Sequence, residues 1–138
     1  ASDLTAWLTG GKNSDHDFSS YLGEAQINML VAFIQEGIVD RSPFINADKS
    51  VKGNAEHGKS LFLTTCARCH GEDGKKINFG DASEPEFLGT VATENPWEFF
   101  HKDSFGQPGA PMPAGLNFGW TLQDIADILA FVQSLPAK

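Results

Sequence analysis

The segment Cys66-Ala67-Arg68-Cys69-His70 contains both cysteines of this 138-residue chain. A disulfide between thiols three positions apart would close so short a loop that it would constrain little of the chain. Two thiols one helical turn apart can instead add to the two vinyl groups on one edge of a haem, with the next histidine directed at the iron. The C-x-x-C-H pattern therefore predicts one haem c, attached through Cys66 and Cys69, with His70 as an iron ligand.

Two other kinds of site also use closely spaced cysteines. A structural zinc site would need two more cysteines or histidines at matching spacing, and the other three histidines form no such pair. A thioredoxin-like redox site would follow a strand in a βαβ unit, and no strand pattern surrounds the segment. Haem attachment is therefore the interpretation that we adopt.

Composition and charge limit the other functions. The chain has 18 acidic and 10 basic residues, a formal net charge of −8, and two haem propionates would make it more negative. Nucleic-acid binding is not expected, because phosphate neutralisation needs clustered Lys and Arg. No stretch approaches the roughly 18–20 apolar residues that span a bilayer, so we expect no direct membrane span. The start, Ala1-Ser2-Asp3, is compatible with cleavage of an export signal.

Apolar residues at helical spacing predict an all-α fold, and no alternating strand pattern of useful length is present. Between the predicted helices, residues 40–53 read as a linker and residues 71–96 as a loop with room for one short helix. We therefore predict an N-terminal helical extension over residues 1–50 and a mono-haem domain over residues 51–138. The predicted helices cover about 22–36, 54–66 with Asn54 as its cap, a segment opening at Pro96, and 121–135 with Thr121 as its cap.

The first and last predicted helices share a short sequence pattern. Residues 27–35 and 125–133 are identical at four of nine aligned positions. Two amphipathic helices can look alike by chance over so short a window. The other interpretation is that residues 1–50 are the remnant of a duplicated haem domain that lost its haem-binding part, and the sequence leaves both open.

Met112 is the predicted sixth ligand of the iron. It lies between Pro111 and Pro113, 42 positions after His70, and prolines on both sides stiffen the backbone of a loop that must hold a thioether in place. The other methionine, Met29, lies in a predicted helix, where methionine usually fills a core. The remaining candidate ligands are His16, His57 and His101, for which an exposed or unrelated position is the simpler interpretation.

Residues 53–138 resemble the class I cytochrome c family. Besides the haem segment, the resemblance rests on Gly58, Phe62, His70-Gly71-Glu72-Asp73-Gly74, Met112-Pro113 and Asp127–Phe131.

The resemblance implies a fold whose first and last helices cross closely at Gly58, with Phe62 packed at the crossing. It also implies that a proline carbonyl accepts a hydrogen bond from the ring of His70, for which Pro85 is the candidate. Trp97 and Trp120 would line the haem pocket or its propionates, although ordinary core packing explains tryptophans equally well.

The expected function is transfer of single electrons between redox protein partners, without an enzymatic activity. A His/Met-ligated iron is saturated, and a thioether ligand favours Fe(II). Two alternatives stay open: a haem subunit of a larger oxidoreductase complex, and a haem protein whose open sixth site binds a small ligand. The apolar face of the N-terminal helix could be buried on the haem domain, in a homodimer or on a partner. Haem c is attached outside the bacterial cytoplasm, so the resemblance implies a periplasmic location.

Overall fold

The computed structural model describes residues 2–137. It divides the chain into two compact units, Ala1–Asp40 and Arg41–Lys138. Within the described residues the regular structure is helical, and strand pairing is limited to the isolated bridges Thr9–Asp17 and Ile45–Val51. The predicted all-α class is therefore confirmed. No helix of the described residues combines the length and the apolar composition needed to cross a membrane.

The first unit contains two α-helices, α1 at Ser2–Leu8 and α2 at Glu24–Ala32, and α2 continues into a wider π-helical turn at Phe33–Gly37. Helix α2 was predicted, whereas α1 was not, because residues 1–18 are polar and interrupted by glycine. Both sides of α2 carry apolar side chains. Ile27 and Val31 are buried, while Met29 and Phe33 are 65% and 60% exposed.

The second unit holds the remaining helices. Its opening helical run begins with α3 at Ala55–Leu61, widens into a π-helical turn at Phe62–Cys66 and ends with α4 at Ala67–His70. The later helices are α5 at Leu88–Glu94, α6 at Pro96–Phe105 and α7 at Leu122–Val132, with a short 3-10 turn at Gly115–Phe118 before α7.

Helices α3 and α7 meet at a glycine. A Cβ at Gly58 would overlap the carbonyl group of Asp127, so only a residue without a side chain allows the two backbones to come this close. Next to this contact, the rings of Phe62 and Phe131 have centroids 5.3 Å apart. Phe62, Ile128 and Val132 are fully buried. The crossing implied by the resemblance therefore forms the core of the second unit.

Polar side chains set where these two helices begin. The Asn54 side chain accepts hydrogen bonds from the amides of Glu56 and His57 at 3.1 and 3.2 Å, which satisfies donors that the first turn of α3 leaves free. Thr121 and Asp124 form the equivalent reciprocal pair at the start of α7. Both capping residues are visible in the sequence, which explains why these boundaries were predicted closely.

The predicted linker is wrong over residues 41–50. The Arg41 guanidinium donates to the Trp97 carbonyl at 3.3 Å, and the rings of Phe44 and Phe100 stack with centroids 5.3 Å apart. Ile45 is buried. These residues belong to the second unit, so its boundary lies between residues 40 and 41 and not at the predicted 50/51.

Candidate haem-binding site

The cysteine segment lies at the end of the first helical run of the second unit. The π-helical turn carries Cys66, and α4 carries Cys69 and His70. Gly71 ends the run with φ at +80°, a conformation that residues with a side chain rarely adopt. Its amide donates to the Ala67 carbonyl at 2.8 Å. The chain therefore turns away directly after His70, and the histidine stands at the end of a helix.

A mainly apolar cavity of about 440 Å³ opens beside this segment. Its walls include both cysteines, His70 and Met112. An adjoining cavity of about 370 Å³ is also lined by His70 and Met112. These volumes lie in the range of cofactor and ligand sites. The cysteine segment and Met112, predicted from two separate parts of the sequence, therefore line the same cavity.

Burial lowers the pKa of His70 below its ordinary value of 6.5, because the charged imidazolium is poorly solvated there. Its Nδ1 is buried and has no hydrogen-bond partner among the described residues. A neutral imidazole with an uncommitted nitrogen is the form that binds a metal. The predicted bond to Pro85 is not present, since Pro85 is exposed and does not line either cavity.

Both cysteines are free thiols, and their setting suits covalent attachment. Burial raises the pKa of Cys66 to about 12, and the negative charges of Asp103 and Cys69 add to the effect. Zinc binding would require a thiolate at this position, whereas a thioether carries no charge. The apolar cavity, the paired thiols and the uncommitted His70 nitrogen together fit a haem c.

Met112 is held in its loop by backbone contacts. The Gln107 amide donates to the Met112 carbonyl at 3.4 Å. Gly106, with φ at +78°, lies so close to that carbonyl that a Cβ would approach it to 2.9 Å. The methionine side chain is half-buried and lines both cavities beside His70.

The rival ligands do not line either cavity. His16 and Met29 belong to the first unit and are exposed, and His101 is exposed against the ring of Phe105. The Nδ1 of His57 lies 2.8 Å from a carboxylate oxygen of Asp127.

The two predicted pocket tryptophans, Trp97 and Trp120, lie in different environments. Trp120 lines the larger cavity, and its ring lies 5.3 Å from that of Phe118. Trp97 lines neither cavity. Its ring lies beneath the ammonium of Lys49 at 5.8 Å. Ordinary packing therefore describes Trp97, while Trp120 remains a candidate contact of the cofactor.

Sequence reasoning missed a buried polar residue of the cavity, Asp103. Its side chain is 5% exposed, and Oδ2 has no hydrogen-bond partner among the described residues. Burial raises the pKa of this carboxyl to about 7. A signal was present, because Phe99, Phe100 and Asp103 fall on one face of a helix, and an acid on an apolar face marks an unusual environment.

Comparisons with known proteins indicate the family of the chain. The family model for cytochrome c matches residues 55–136. A protein from Synechocystis sp. described as cytochrome c-553-like is 28% identical over 107 residues, which cover 78% of this chain and 93% of the relative. No solved structure matched the chain.

Proposed function

Because the chain belongs to the cytochrome c family, a family of haem c electron carriers, we propose that it transfers single electrons between redox protein partners and has no enzymatic activity of its own. The observation that carries the proposal is the shared cavity wall of Cys66, Cys69, His70 and Met112. Cys66 and Cys69 would hold one haem c, and His70 and Met112 would be its axial ligands. When bound, this group supplies a one-electron couple, whose potential a thioether ligand raises.

The residues around the cavity support electron transfer over ligand binding. Neutral His70 and the thioether of Met112 would both hold the iron, which would leave no position for a substrate. Ile77, Phe79 and Phe118 give the cavity apolar walls, which suit the apolar ring of a haem. An open sixth site would require Met112 to leave the cavity that it lines.

A second candidate is a haem subunit of a larger oxidoreductase complex. It is favoured by the first unit, where Tyr21, Met29 and Phe33 are exposed, although single exposed apolar side chains are common on proteins. In that case the extension at residues 1–40 would contact the other subunits. In either case we propose a periplasmic location, where haem c is attached.

The test is covalent haem content. Coexpression with a bacterial haem c maturation system should give one haem per chain that survives denaturation, and the protein should take up and release one electron per haem. The double variant Cys66→Ser, Cys69→Ser should lose the covalent haem, whereas His101→Ala, outside the cavity, should retain it. Covalent haem in the double variant, or none in the wild type, would contradict the proposal.

A further inference from the structure

We propose that Asp103 takes up a proton when the site takes up an electron, so that this chain carries an electron and a proton together. The inference rests on the proposed electron-carrier function and adds a second exchange to it. It starts from the position of Asp103, a carboxyl group in the wall of the cavity that also contains Cys66, Cys69 and His70.

The helix that carries Asp103 places it inside the molecule. On α6, Phe99, Phe100, Asp103 and Ser104 are buried, whereas His101 and Phe105 are exposed. The hydroxyl of Ser104 donates to the Phe100 carbonyl at 2.6 Å, so it is already engaged within its own helix. Asp103 Oδ2 has no such partner among the described residues. A buried carboxylate without a partner is costly, so a proton on this oxygen is the natural way to neutralise it.

The charged groups around Asp103 do not supply a neutralising partner. Lys102, the basic residue next to it, is paired with Glu98 at 2.6 Å. Packed against α6 are α5, α7 and the turn at Gly115–Phe118, and this turn has no titratable side chain. Residues 41–50 also contact α6, but the Arg41 guanidinium donates to the Trp97 carbonyl and the Lys49 ammonium donates to the Glu94 carbonyl. The other titratable side chains on these elements and in the cavity walls are Cys66, Cys69, His70, Glu86, Glu94, His101, Asp124 and Asp127.

Those other groups are bonded elsewhere or cannot neutralise the charge of Asp103. Glu86 is itself an acid, and His70 is neutral because burial lowers its pKa. Asp124 bonds the amide and hydroxyl of Thr121, and Asp127 bonds His57 and Gln123. Glu94 and His101 are exposed. The cysteines become uncharged thioethers in the proposed function.

Electrostatic coupling links the two exchanges. Burial raises the pKa of Asp103 to about 7, so its carboxyl can change its protonation state near neutral pH. Adding an electron to a nearby centre makes that centre more negative, which favours the protonated carboxyl. Linkage is reciprocal, so a proton on Asp103 raises the electron affinity of the site by the same factor as the electron raises the proton affinity.

The exchange balances as one electron and one proton. The donor protein is oxidised by one electron, the site is reduced, and an O–H bond forms between a solvent proton and Asp103 Oδ2. When the acceptor protein removes the electron, this O–H bond breaks and the proton returns to solvent. The carboxyl thus alternates between its neutral and charged forms with each redox cycle.

The experiment is a spectropotentiometric titration of the haem-loaded protein between pH 5 and 9. We expect the midpoint potential of the wild type to fall by about 59 mV per pH unit within the neutral range, the slope that one proton per electron gives, because tenfold in electron affinity is 59 mV for one electron. In Asp103→Asn the amide side chain cannot ionise. The midpoint potential of this variant should therefore lose the pH dependence and stay at the value of the wild type with Asp103 protonated. Asp81→Asn, a matched change in an exposed loop residue, should behave as the wild type.

A second measurement reads the carboxyl directly. Reduced-minus-oxidised infrared difference spectra near pH 7 should show a protonated carboxyl C=O band on reduction in the wild type, and Asp103→Asn should lack it. A wild-type potential that does not change with pH would overturn the inference even if the variant failed to fold. An unchanged pH dependence in Asp103→Asn would also overturn it, because another group, such as a propionate, would then carry the proton. A protein without covalent haem or reversible reduction would refute the electron-carrier function itself.

Discussion

At the scale of single residues, burial sets the chemistry of the candidate site. Burial lowers the pKa of His70, which keeps its ring neutral, and raises the pKa of Cys66 to about 12, which keeps the thiol uncharged. It also raises the pKa of the Asp103 carboxyl to about 7. Each effect follows from the poor solvation of a charge in an apolar cavity. The sequence predicted both His70 and Cys66 from spacing, but their protonation depends on residues distant in the chain.

Asp127 shows the opposite effect, and it allows a prediction of stability. Burial would raise its pKa, but hydrogen bonds from the Asn54 amide, His57 and Gln123 outweigh burial and lower the pKa below the ordinary 3.8. These bonds stabilise the fold while the carboxyl is charged. Asp127→Ala should therefore lose about 2 kcal/mol of unfolding free energy at pH 7, measured by urea denaturation.

The same variant has a defined pH dependence. Because the folded-state pKa of Asp127 is lowered, its stabilisation is complete above pH 3.8 and is lost as pH falls through the folded-state pKa. The difference between wild type and Asp127→Ala should thus shrink below that pH. Glu84→Ala, at an exposed loop position, should cost little at any pH. A constant difference down to the acid transition would rule out the charged-carboxylate explanation.

At the scale of elements, sequence predicted helices best where local signals define them. The apolar spacing and the caps Asn54 and Thr121 predicted α3 and α7 closely. Helix α1 lacks such a stripe and was missed. Residues 41–50 look like a linker in the sequence because partners far along the chain hold them: Phe44 stacks on Phe100, and Arg41 donates to the Trp97 carbonyl. Such long-range contacts leave no periodic signal.

The α3–α7 contact predicts a large effect of a single methyl group. Gly58→Ala would place a Cβ on the Asp127 carbonyl, and two packed helices cannot separate without loss of contacts around Phe62. We expect a loss of at least about 3 kcal/mol of unfolding free energy, or failure to fold. Gly23→Ala, where a Cβ meets its nearest atom only at 3.8 Å, is the matched control. Equal stability of the two variants would refute the close helix contact.

At the scale of the whole molecule, the chain has a unit at residues 41–138 that contains the cytochrome c match, and a smaller helical unit at residues 1–40. Family membership follows from the C-x-x-C-H segment and the α3–α7 framework, both readable in the sequence. The hydrogen bond from His70 to Pro85 was implied by the resemblance but is not present. The position of a loop carbonyl depends on how residues 71–87 fold, and the sequence does not show this. Whether residues 1–40 are a remnant of a duplicated domain stays a prediction based on the similarity of α2 and α7.

The central claim is that one haem is ligated by His70 and Met112, and the optical spectrum of the purified oxidised protein tests it most directly. We predict a low-spin spectrum with a weak long-wavelength iron–sulfur charge-transfer band. Met112→Ala should abolish this band, while Met29→Ala, at the other methionine, should leave it intact. A high-spin wild-type spectrum, or a band that survives in Met112→Ala, would contradict the account and remove Met112 from the iron.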